Sequence, residues 1–439
     1  MIRLKFRDFF VLLVVSVLGA GCASRQAVDP MGAYRLEDGR LLSIRKSVGK
    51  TLRYRVYDSG ESRRLHPAGD RRYVAGPGFS AKSPIELVVE FDVDGTGRTT
   101  GLSWTLLDRQ KLSAERISNE EWLTFEGDGA TLFGRLDLPA GPGPYPAVVL
   151  VHGSGDDAAT DYSPNGDFLA AHGIATLTYD KRGTGRSTGR YSFDFHLLAR
   201  DVVAAVEYLQ SRPEIDSARI GLSGYSQGTW VAPLAASQTD GVRYVVAHYG
   251  LIGSPAEEAR VETRNTLRKR GVDETSLEQL DELTEASVRI VASDFRDGWK
   301  ELAEIKRKYK DAAWMKQLEG TVVGKFVSYP RWLVKLLGRR RTPEGLPWYY
   351  DSSEVLDMLS MPMLWLLAEA DESAPIELTL PALRRLQADG KPYEIVVFPG
   401  ADHTMLLFTE ESGERVHTGY APDYFRTEVE AARRLSGLD

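Results

Sequence analysis

Residues 219–230 read RIGLSGYSQGTW, and this stretch decides the fold of the chain. An apolar run that begins at Arg219 leads to Ser226, which has a glycine two positions before it and another two positions after it. The following segment, TWVAPLAAS, is suited to the start of a helix. A strand that turns sharply into a helix leaves no room for side chains at Gly224 and Gly228, and it exposes the serine at the tip. The stretch therefore predicts that Ser226 is a nucleophile.

A serine nucleophile predicts two further residues later in the chain. Its hydroxyl needs a base within hydrogen-bond reach and an acid that orients the base. On this kind of turn the acid and then a histidine follow, each at the carboxyl end of a later strand. Asp371 follows the predicted strand MPMLWLLAE, and His403 follows the predicted strand YEIVVFPG. Since imidazole titrates near neutral pH, we expect His403 to be the base and Asp371 to orient it.

Other side chains compete for these two roles. Three carboxylates near Asp371 or the histidine are alternatives for the acid, namely Glu369, Glu372 and Asp402. Asp402 directly precedes His403, so its side chain should point away from that ring. Of the seven histidines only His417 lies further along, in a polar stretch that follows no strand.

The oxyanion of a tetrahedral intermediate needs two preset donors, which are usually backbone N–H groups. The amide of Gln227, directly after the nucleophile, is the first candidate. The second should lie in the loop after an early strand, where VLVHGSG provides a His-Gly turn. We expect the amide of Ser154 to serve, with Gly153 as the alternative, and we interpret His152 as shaping the loop.

The glycine-rich stretch YDKRGTGRSTG, residues 179–189, is a candidate phosphate loop that fails on spacing. It lacks the spacing of a dinucleotide-binding loop and the Gly-Lys-Ser/Thr ending of a P-loop. A structural turn with an ion pair between Asp180 and Arg182 is the better interpretation. No His, Cys, Asp or Glu cluster has metal-ligand spacing either, so the sequence predicts no metal site.

The pattern around these motifs predicts an α/β fold. EEWLTFEG and ATLFGRLDLP suggest a leading hairpin, and YPAVVLVHG is a continuous apolar strand of the buried type. Strands and helices then alternate, which is typical of a mostly parallel sheet covered on both faces. The alternation stops at residues 253–350, where a long charged helical segment predicts a cap inserted into a domain that spans residues 120–439.

The chain before this domain has a different pattern. Residues 31–115 hold short segments of period two, separated by glycine and aspartate turns, with no helical periodicity. This pattern predicts a small antiparallel β domain. No catalytic constellation lies in it.

Together, HGSG, YDKRGTGRS, GYSQG, the Asp371 loop and PGADH resemble the α/β-hydrolase superfamily. The set is similar to bacterial carboxylesterases and to the dienelactone-hydrolase and prolyl-oligopeptidase-like branches. The resemblance implies an α/β-hydrolase fold and a serine hydrolase that acts through an acyl-enzyme without a cofactor. It leaves the substrate, the acyl length and the leaving group open.

Cleavage of carboxylic esters is the preferred function, and two kinds of alternative remain. The same triad also serves peptidases or aminopeptidases, acyl thioesterases and acyltransferases. Related peptidases usually carry a β-propeller, for which the N-terminal β segment is too short. A non-catalytic envelope binding module is the alternative from another class, although the predicted triad argues against it.

The first 22 residues, MIRLKFRDFFVLLVVSVLGAGC, have the layout of a secretory signal. Basic residues precede a short apolar core, and small residues precede Cys22, the only cysteine of the chain. The stretch resembles a bacterial lipoprotein signal, although Gly19 stands where that family usually has leucine. The resemblance implies that Cys22 is lipidated and that the protein is anchored in the cell envelope, on the periplasmic side of the outer membrane.

Composition limits the remaining partners. The 439 residues carry a formal net charge of −7, so no global basic footprint indicates nucleic acid. The segment 325–341, KFVSYPRWLVKLLGRRR, is locally basic, aromatic and free of acidic residues. We interpret it as a solvated cap helix that covers the site, and contact with an anionic membrane or attraction of anionic acyl substrates are the alternatives.

Overall fold

The computed structural model describes residues 28–47, 50–107, 111–341 and 345–438. The predicted signal at residues 1–22, including Cys22, lies outside these ranges. Within them, no helix combines the length and the apolar character needed to cross a bilayer.

The first sheet is an antiparallel meander that begins near the N terminus. Its strands within the described ranges are β1 (Gly32–Leu36), β2 (Leu41–Ser47), β3 (Thr51–Val56), β4 (Ser62–Arg64), β5 (His66–Pro67), β6 (Arg72–Ala75), β7 (Leu87–Val93), β8 (Thr99–Leu106) and β9 (Lys111–Arg116). They lie in the order β4-β3-β2-β1-β9-β8-β7-β6-β5. Alternating side chains, among them Leu42, Ile44 and Trp104, form a separate core. The predicted N-terminal antiparallel β structure is confirmed.

The second sheet begins four residues after β9. Its strands are β10 (Glu120–Gly127), β11 (Ala130–Asp137), β12 (Tyr145–Val151), β13 (Ala175–Tyr179), β14 (Ile215–Tyr225), β15 (Tyr244–His248), β16 (Met363–Ala368) and β17 (Tyr393–Phe398). The order is β10-β11-β13-β12-β14-β15-β16-β17. The leading hairpin β10–β11 is antiparallel, and β12 to β17 pair in parallel. Their carboxyl ends therefore meet at one edge of the sheet.

The inner strands of the second sheet are buried on both sides, so both faces of the sheet are covered. The first helices are α1 (Ala159–Tyr162), α2 (Asn165–Ala171), α3 (Phe195–Gln210) and α4 (Gly228–Ala236). Val149 and Val151 of β12 belong to the core that holds α3 and α4. The alternate residues Val148 and Leu150 belong to the core on the opposite face, with α2.

A run of helices fills the chain between β15 and β16. It comprises α5 (Pro255–Lys269), α6 (Glu274–Ala292), α7 (Trp299–Lys308), a short 3₁₀ helix (Ala313–Leu318), α8 (Val322–Ser328) and α9 (Arg331–Arg341). The start of α5 is fixed by a capping box between Ser254 and Glu257, with Pro255 in the first turn. These helices pack around a core of their own, which includes Leu283, Phe295 and Trp314.

α10 (Ser352–Met358) also lies before β16, and the later part of the chain adds α11 (Ile376–Ala388) before β17, a hairpin of β18 (Leu406–Glu411) and β19 (Glu414–Tyr420), and α12 (Tyr424–Leu435). The hairpin contacts the first sheet. The Tyr420 amide donates to the Gly60 carbonyl at 2.9 Å, and the rings of His417 and Phe79 lie 5.7 Å apart. A Cβ at Gly60 would lie 2.5 Å from the Tyr420 carbonyl oxygen, so this contact requires glycine.

A buried ion-pair network also joins the two sheets. Arg45 of β2 is fully buried, and its guanidinium donates to Asp167 at 2.9 Å and to Glu120 at 2.6 Å. Burial opposes the charge of Arg45, but the carboxylates of Asp167 and Glu120 outweigh it and raise the pKa of the arginine. Removing one partner of such a pair typically costs about 3–5 kcal/mol of stability, because the other charge stays buried without compensation.

Candidate active site

The turn after β14 carries Ser226 in a strained conformation. The backbone φ of Ser226 is +52°, a left-handed value that non-glycine residues rarely adopt. A Cβ at Gly224 would lie 2.4 Å from the Gly228 carbonyl oxygen, and a Cβ at Gly228 would lie 2.1 Å from the Val151 carbonyl oxygen. Neither glycine can be replaced without moving the turn, which is the physical reason for the spacing in the sequence.

Three side chains from separate strand ends meet at this turn. His403 Nε2 lies 3.0 Å from the hydroxyl oxygen of Ser226. His403 Nδ1 lies 2.8 Å from Asp371 Oδ2. The imidazole therefore stands between hydroxyl and carboxylate, in the geometry of a base that is oriented by an acid.

Asp371 is held rigidly, because its side chain is almost completely buried. Its other carboxylate oxygen accepts hydrogen bonds from the amides of Ser373 and Ala374, at 2.9 and 2.8 Å. The competing carboxylates bond elsewhere: Glu369 to the Gly400 amide, Glu372 to Lys269 and Arg415, and Asp402 to His417.

The electrostatic surroundings of His403 favour its protonated form. Burial lowers the pKa of the imidazole, but the hydrogen bond and charge of Asp371, with further help from Glu258 and Asp402, outweigh burial and raise it above 6.5. The ring of Tyr249 packs edge-on against the imidazole, with centroids 4.9 Å apart. The histidine can therefore accept a proton from the serine and hold it.

The predicted oxyanion residues flank the serine hydroxyl. Gln227 directly follows Ser226, and it is the N-cap of α4. On the other side, a Cβ at Gly153 would lie 3.3 Å from Ser226 Cβ, so the loop that carries Ser154 runs against Ser226. Among the described residues, neither the Gln227 nor the Ser154 amide has a hydrogen-bond acceptor.

Lys181 connects the two sides of this arrangement, and the sequence analysis did not identify it. Its ammonium group is buried and lies 2.8 Å from the Gly153 carbonyl, 3.4 Å from the Gly155 carbonyl and 3.2 Å from Gln227 Oε1. Burial lowers the pKa of Lys181 to about 7, although Asp156 opposes the effect. The side chain therefore ties the Ser154 loop to the residue after the nucleophile. Only its position two residues after a strand could have signalled this role.

The glycine-rich loop is a structural turn, but the predicted ion pair within it is wrong. Arg182 pairs with Asp201 of α3, with Nη2 2.6 Å from Oδ1. Asp180 instead accepts hydrogen bonds from Thr160 and from the Arg186 amide, at 2.8–3.0 Å. The two side chains diverge because β13 ends at Tyr179 and the chain then turns, so each finds its own partner on another element.

His152 lies in the same region, half-buried and without a charge. Burial, with the nearby charge of Lys181, lowers the pKa of its imidazole to about 3. Its ring packs edge-on against Tyr179, with centroids 5.1 Å apart. This environment fits the predicted loop-shaping role and makes the ring a poor base at neutral pH.

Glu258 on α5 is a second residue that sequence reasoning missed. Burial raises the pKa of its carboxyl to about 7, while the nearby positive charge of His403 opposes the shift and the carboxylates of Glu262 and Asp371 add to it. The carboxyl and the imidazole therefore influence each other electrostatically. Only the folded chain brings α5 near the histidine loop, so no local signal could reveal the pair.

A second cluster of serine, histidine and carboxylate lies buried beneath the turn. The hydroxyl of Ser223 donates to Glu428 Oε1 at 2.6 Å and contacts His248 Nε2 at 2.9 Å. Tyr225 and Asn165 donate to the same carboxylate. All three members, Ser223, His248 and Glu428, are at most 1% exposed. We call this set the buried cluster.

Within the described ranges, one group of carboxylates has the spacing of a metal site: Glu120, Asp137 and Asp167. The guanidinium of Arg45 lies 2.6 Å from Glu120 and that of Arg135 lies 3.0 Å from Asp137. Each of the three carboxylates therefore already pairs with a buried arginine, since Arg45 also bonds to Asp167, and all three belong to the ion-pair network between the sheets.

Three curated proteins resemble segments of this chain. Esterase EstD of Thermotoga maritima is 31% identical over 163 residues, or 34% of this chain and 39% of EstD. Thiohydrolase apmlB of Arthrinium phaeospermum is 34% identical over 122 residues, or 27% of this chain and 39% of apmlB. Esterase FrsA of Escherichia fergusonii is 37% identical over 106 residues, or 24% of this chain and 25% of FrsA. The chain thus matches well under half the length of these relatives.

Solved structures and a family model give broader matches. The Pyrococcus furiosus esterase Pf2001 matches with a TM-score of 0.43 and 15% identity, covering 73% of this chain and 89% of that chain. The family model described as "Alpha/beta hydrolase family" matches residues 148–417, more than half of the chain. This range begins in β12 and includes Ser226, Asp371 and His403. The chain therefore belongs to the alpha/beta hydrolase family.

Proposed function

We propose that this protein hydrolyses carboxylic esters through a Ser226–His403–Asp371 triad and an acyl-enzyme intermediate. One observation carries the proposal: His403 lies within hydrogen-bond distance of both partners, 3.0 Å from Ser226 and 2.8 Å from Asp371. Family membership supports a hydrolase. The names of EstD and FrsA, both esterases, favour ester bonds over other acyl bonds.

The reaction follows from this geometry in two halves. Ser226 Oγ attacks the ester carbonyl carbon while His403 Nε2 takes the hydroxyl proton and Asp371 stabilises the imidazolium. The amides of Gln227 and Ser154 hold the oxyanion. When the tetrahedral intermediate collapses, the carbon–oxygen bond to the alcohol breaks and His403 returns the proton to the alcohol. Water, deprotonated by His403, then attacks the acyl carbon, the bond from this carbon to Ser226 Oγ breaks, and His403 returns the proton to Ser226 Oγ as the acid leaves.

Labelling with a fluorophosphonate tests the nucleophile directly, because the reagent modifies only an activated serine. We expect the wild-type chain to react rapidly and the Ser226→Ala variant to remain unlabelled. Equal, slow reaction of both proteins would contradict the triad and favour a non-catalytic binding module.

A panel of substrates tests which type of acyl bond the protein cleaves. Nitrophenyl esters of increasing acyl length, acyl thioesters and aminoacyl amides would be compared by kcat/KM. We expect esters to be preferred. Thioesters are the second candidate because one relative is named a thiohydrolase. A strong preference for aminoacyl amides would overturn the ester proposal and leave the nucleophile intact.

We further propose that helices α5–α9 form a cap over this site. Two contacts support the proposal. Lys269, at the end of α5, pairs with Glu372, the neighbour of Asp371, and Glu258 of α5 interacts electrostatically with His403. If the cap limits access, the wild-type protein should have a higher kcat/KM for short acyl chains than for long ones. This preference should be weaker in Glu258→Ala, which carries a smaller side chain at that position.

The location of the protein is also a proposal, and it rests on the sequence alone. We propose that Cys22 is lipidated after signal cleavage and anchors the protein in the cell envelope, on the periplasmic side of the outer membrane. Metabolic labelling with a palmitate analogue should mark the wild-type chain and leave the Cys22→Ser variant unmarked. Labelling of both chains would disprove lipidation at this residue.

A further inference from the structure

Helices α8 and α9 expose large apolar side chains. Val322 is 68% exposed, Tyr329 41%, Trp332 67% and Leu336 45%. All four lie within a segment of fifteen residues. Single exposed apolar residues are common on protein surfaces, but a concentration of this kind marks an interaction surface.

Helical spacing puts these side chains on the outward faces. Val322 is the first residue of α8 and Tyr329 directly follows its last residue, and the exposed Lys325 lies between them. On α9, Trp332 and Leu336 are four residues apart, and Lys335 lies beside them. We call the surface formed by these outward faces the α8–α9 surface.

The inward sides of both helices are already packed. Val323 and Phe326 of α8 and Val334 of α9 are buried in the core that the inserted helices share. The exposed apolar residues are therefore not needed to hold the helices in place. Packing within the insertion does not explain them.

The charge of the α8–α9 surface is opposite to that of the whole protein. Residues 325–341 contain no acidic side chain, whereas the chain carries a net charge of −7. Neither Lys325 nor Lys335 forms an ion pair with any residue in the described ranges. Arg339 is the exception on this surface, since it pairs with Asp294 at 2.9 Å.

We propose that the α8–α9 surface binds the headgroup region of an anionic lipid bilayer. Tryptophan and tyrosine side chains prefer the boundary between headgroups and acyl chains, and aliphatic side chains insert beside them. Lysines next to these residues attract the phosphates of anionic lipids. The surface has all three components on two consecutive helices. It would bring the inserted helices to the membrane independently of any lipid on the N terminus.

A fluorophore on the surface gives a local test, because Cys22 is the only cysteine. In a full chain that carries Cys22→Ser, Trp332→Cys introduces a unique site for a nitrobenzoxadiazole label. The matched control is Met358→Cys on α10, where the native side chain is 69% exposed. We expect vesicles of phosphatidylglycerol and phosphatidylcholine to shift the emission of the label at position 332 to the blue. The label at position 358 should not respond, and neither should position 332 with pure phosphatidylcholine.

Charge reversal tests the electrostatic component. Lys325→Glu with Lys335→Glu should weaken binding to the mixed vesicles at least about tenfold. The control, Lys82→Glu with Lys111→Glu, changes the net charge equally at two exposed lysines of the N-terminal segment and should bind like the parent. High salt should abolish the difference. Hydrolysis of a short, soluble ester should be the same in the parent and in both double variants, which verifies folding.

Three results would overturn the proposal. They are equal responses of the labels at positions 332 and 358, equal vesicle affinity of the two double variants, and a response at position 332 that rises with protein concentration in the absence of vesicles. The last result would show that a second copy of the chain occupies the surface.

Discussion

Two clusters of the same residue types lie side by side in this protein. The candidate triad uses Ser226, and the buried cluster uses Ser223, only three residues earlier in the chain. In the triad the imidazole stands between serine and acid, bonded through different ring nitrogens. In the buried cluster the acid bonds to the serine itself, and both lie against the same nitrogen of His248.

The two clusters contain similar side chains, but their surroundings differ. The carboxylate of Glu428 accepts the hydroxyl proton of Ser223 in a hydrogen bond, and no solvent reaches any member of that cluster. His403, in contrast, has a side chain that is 26% exposed, and Ser226 stands at the tip of a strained turn. Solvent access and the order of the three groups therefore distinguish Ser226, the candidate nucleophile, from Ser223. The buried cluster supports the turn from below.

Replacing each serine should give the largest contrast. Ser226→Ala should lower the turnover of a nitrophenyl ester at least about 10⁴-fold, because the nucleophile is lost. Ser223→Ala should keep turnover within a few-fold and lower the free energy of unfolding by about 1–3 kcal/mol, because buried partners lose a hydrogen bond. Steady-state kinetics and urea titration measure the two effects. A similar loss of turnover in both variants would contradict the distinction.

Replacing each acid should give the next largest contrast. Asp371→Asn should reduce kcat by about 10³–10⁴-fold, because the amide no longer holds the histidine in the required tautomer. Glu428→Gln should act mainly on stability, with kcat changed only slightly once the unfolded fraction is removed. The experiment compares kcat and chemical denaturation of the two variants. The interpretation fails if Glu428→Gln lowers kcat as strongly as Asp371→Asn.

The lysine behind the oxyanion loop should have a smaller effect. Lys181→Met removes the ammonium group that holds the Gly153 loop and Gln227, so we expect kcat to fall about 10²-fold with little change in KM. Lys306→Met is a matched control, since Lys306 is a partly buried lysine of α7 that donates to the Val327 carbonyl. A rise in KM with kcat unchanged would show that Lys181 acts on substrate binding instead.

The smallest expected effect is a shift of the pH profile. Ionised Glu258 stabilises the protonated form of His403 and raises its pKa, and only the neutral imidazole can take the serine proton. Glu258→Gln should therefore lower the pKa of His403 and move the acid limb of kcat/KM to lower pH, by less than about one unit. Glu278→Gln, an exposed carboxylate of α6, should leave the limb in place. A shift of the acid limb to higher pH in Glu258→Gln would contradict this prediction.

Local sequence patterns predicted the candidate triad, but they did not predict contacts between residues that are far apart in the sequence. Ser226, Asp371 and His403 each follow an apolar strand, so the rule that parallel strands end at one edge brought them together. The buried cluster joins residues 205 positions apart, and Glu258 reaches the site on an inserted helix. The predicted ion pair between Asp180 and Arg182 was wrong. Two residues that are close in the sequence at the end of a strand can still point their side chains in different directions.

The contact between the β18–β19 hairpin and the first sheet bears on whether the N-terminal segment can be removed from this protein. The loop that carries His403 leads into β18, and β19 returns to bond with Gly60 of the N-terminal segment. His417 links the same two regions, since it packs edge-on against Phe79 and bonds to Asp402 beside the candidate base His403. A catalytic unit cut out at residue 120 would keep every triad residue and lose the outer support of its histidine loop. We therefore expect the N-terminal sheet to act as more than a detachable spacer.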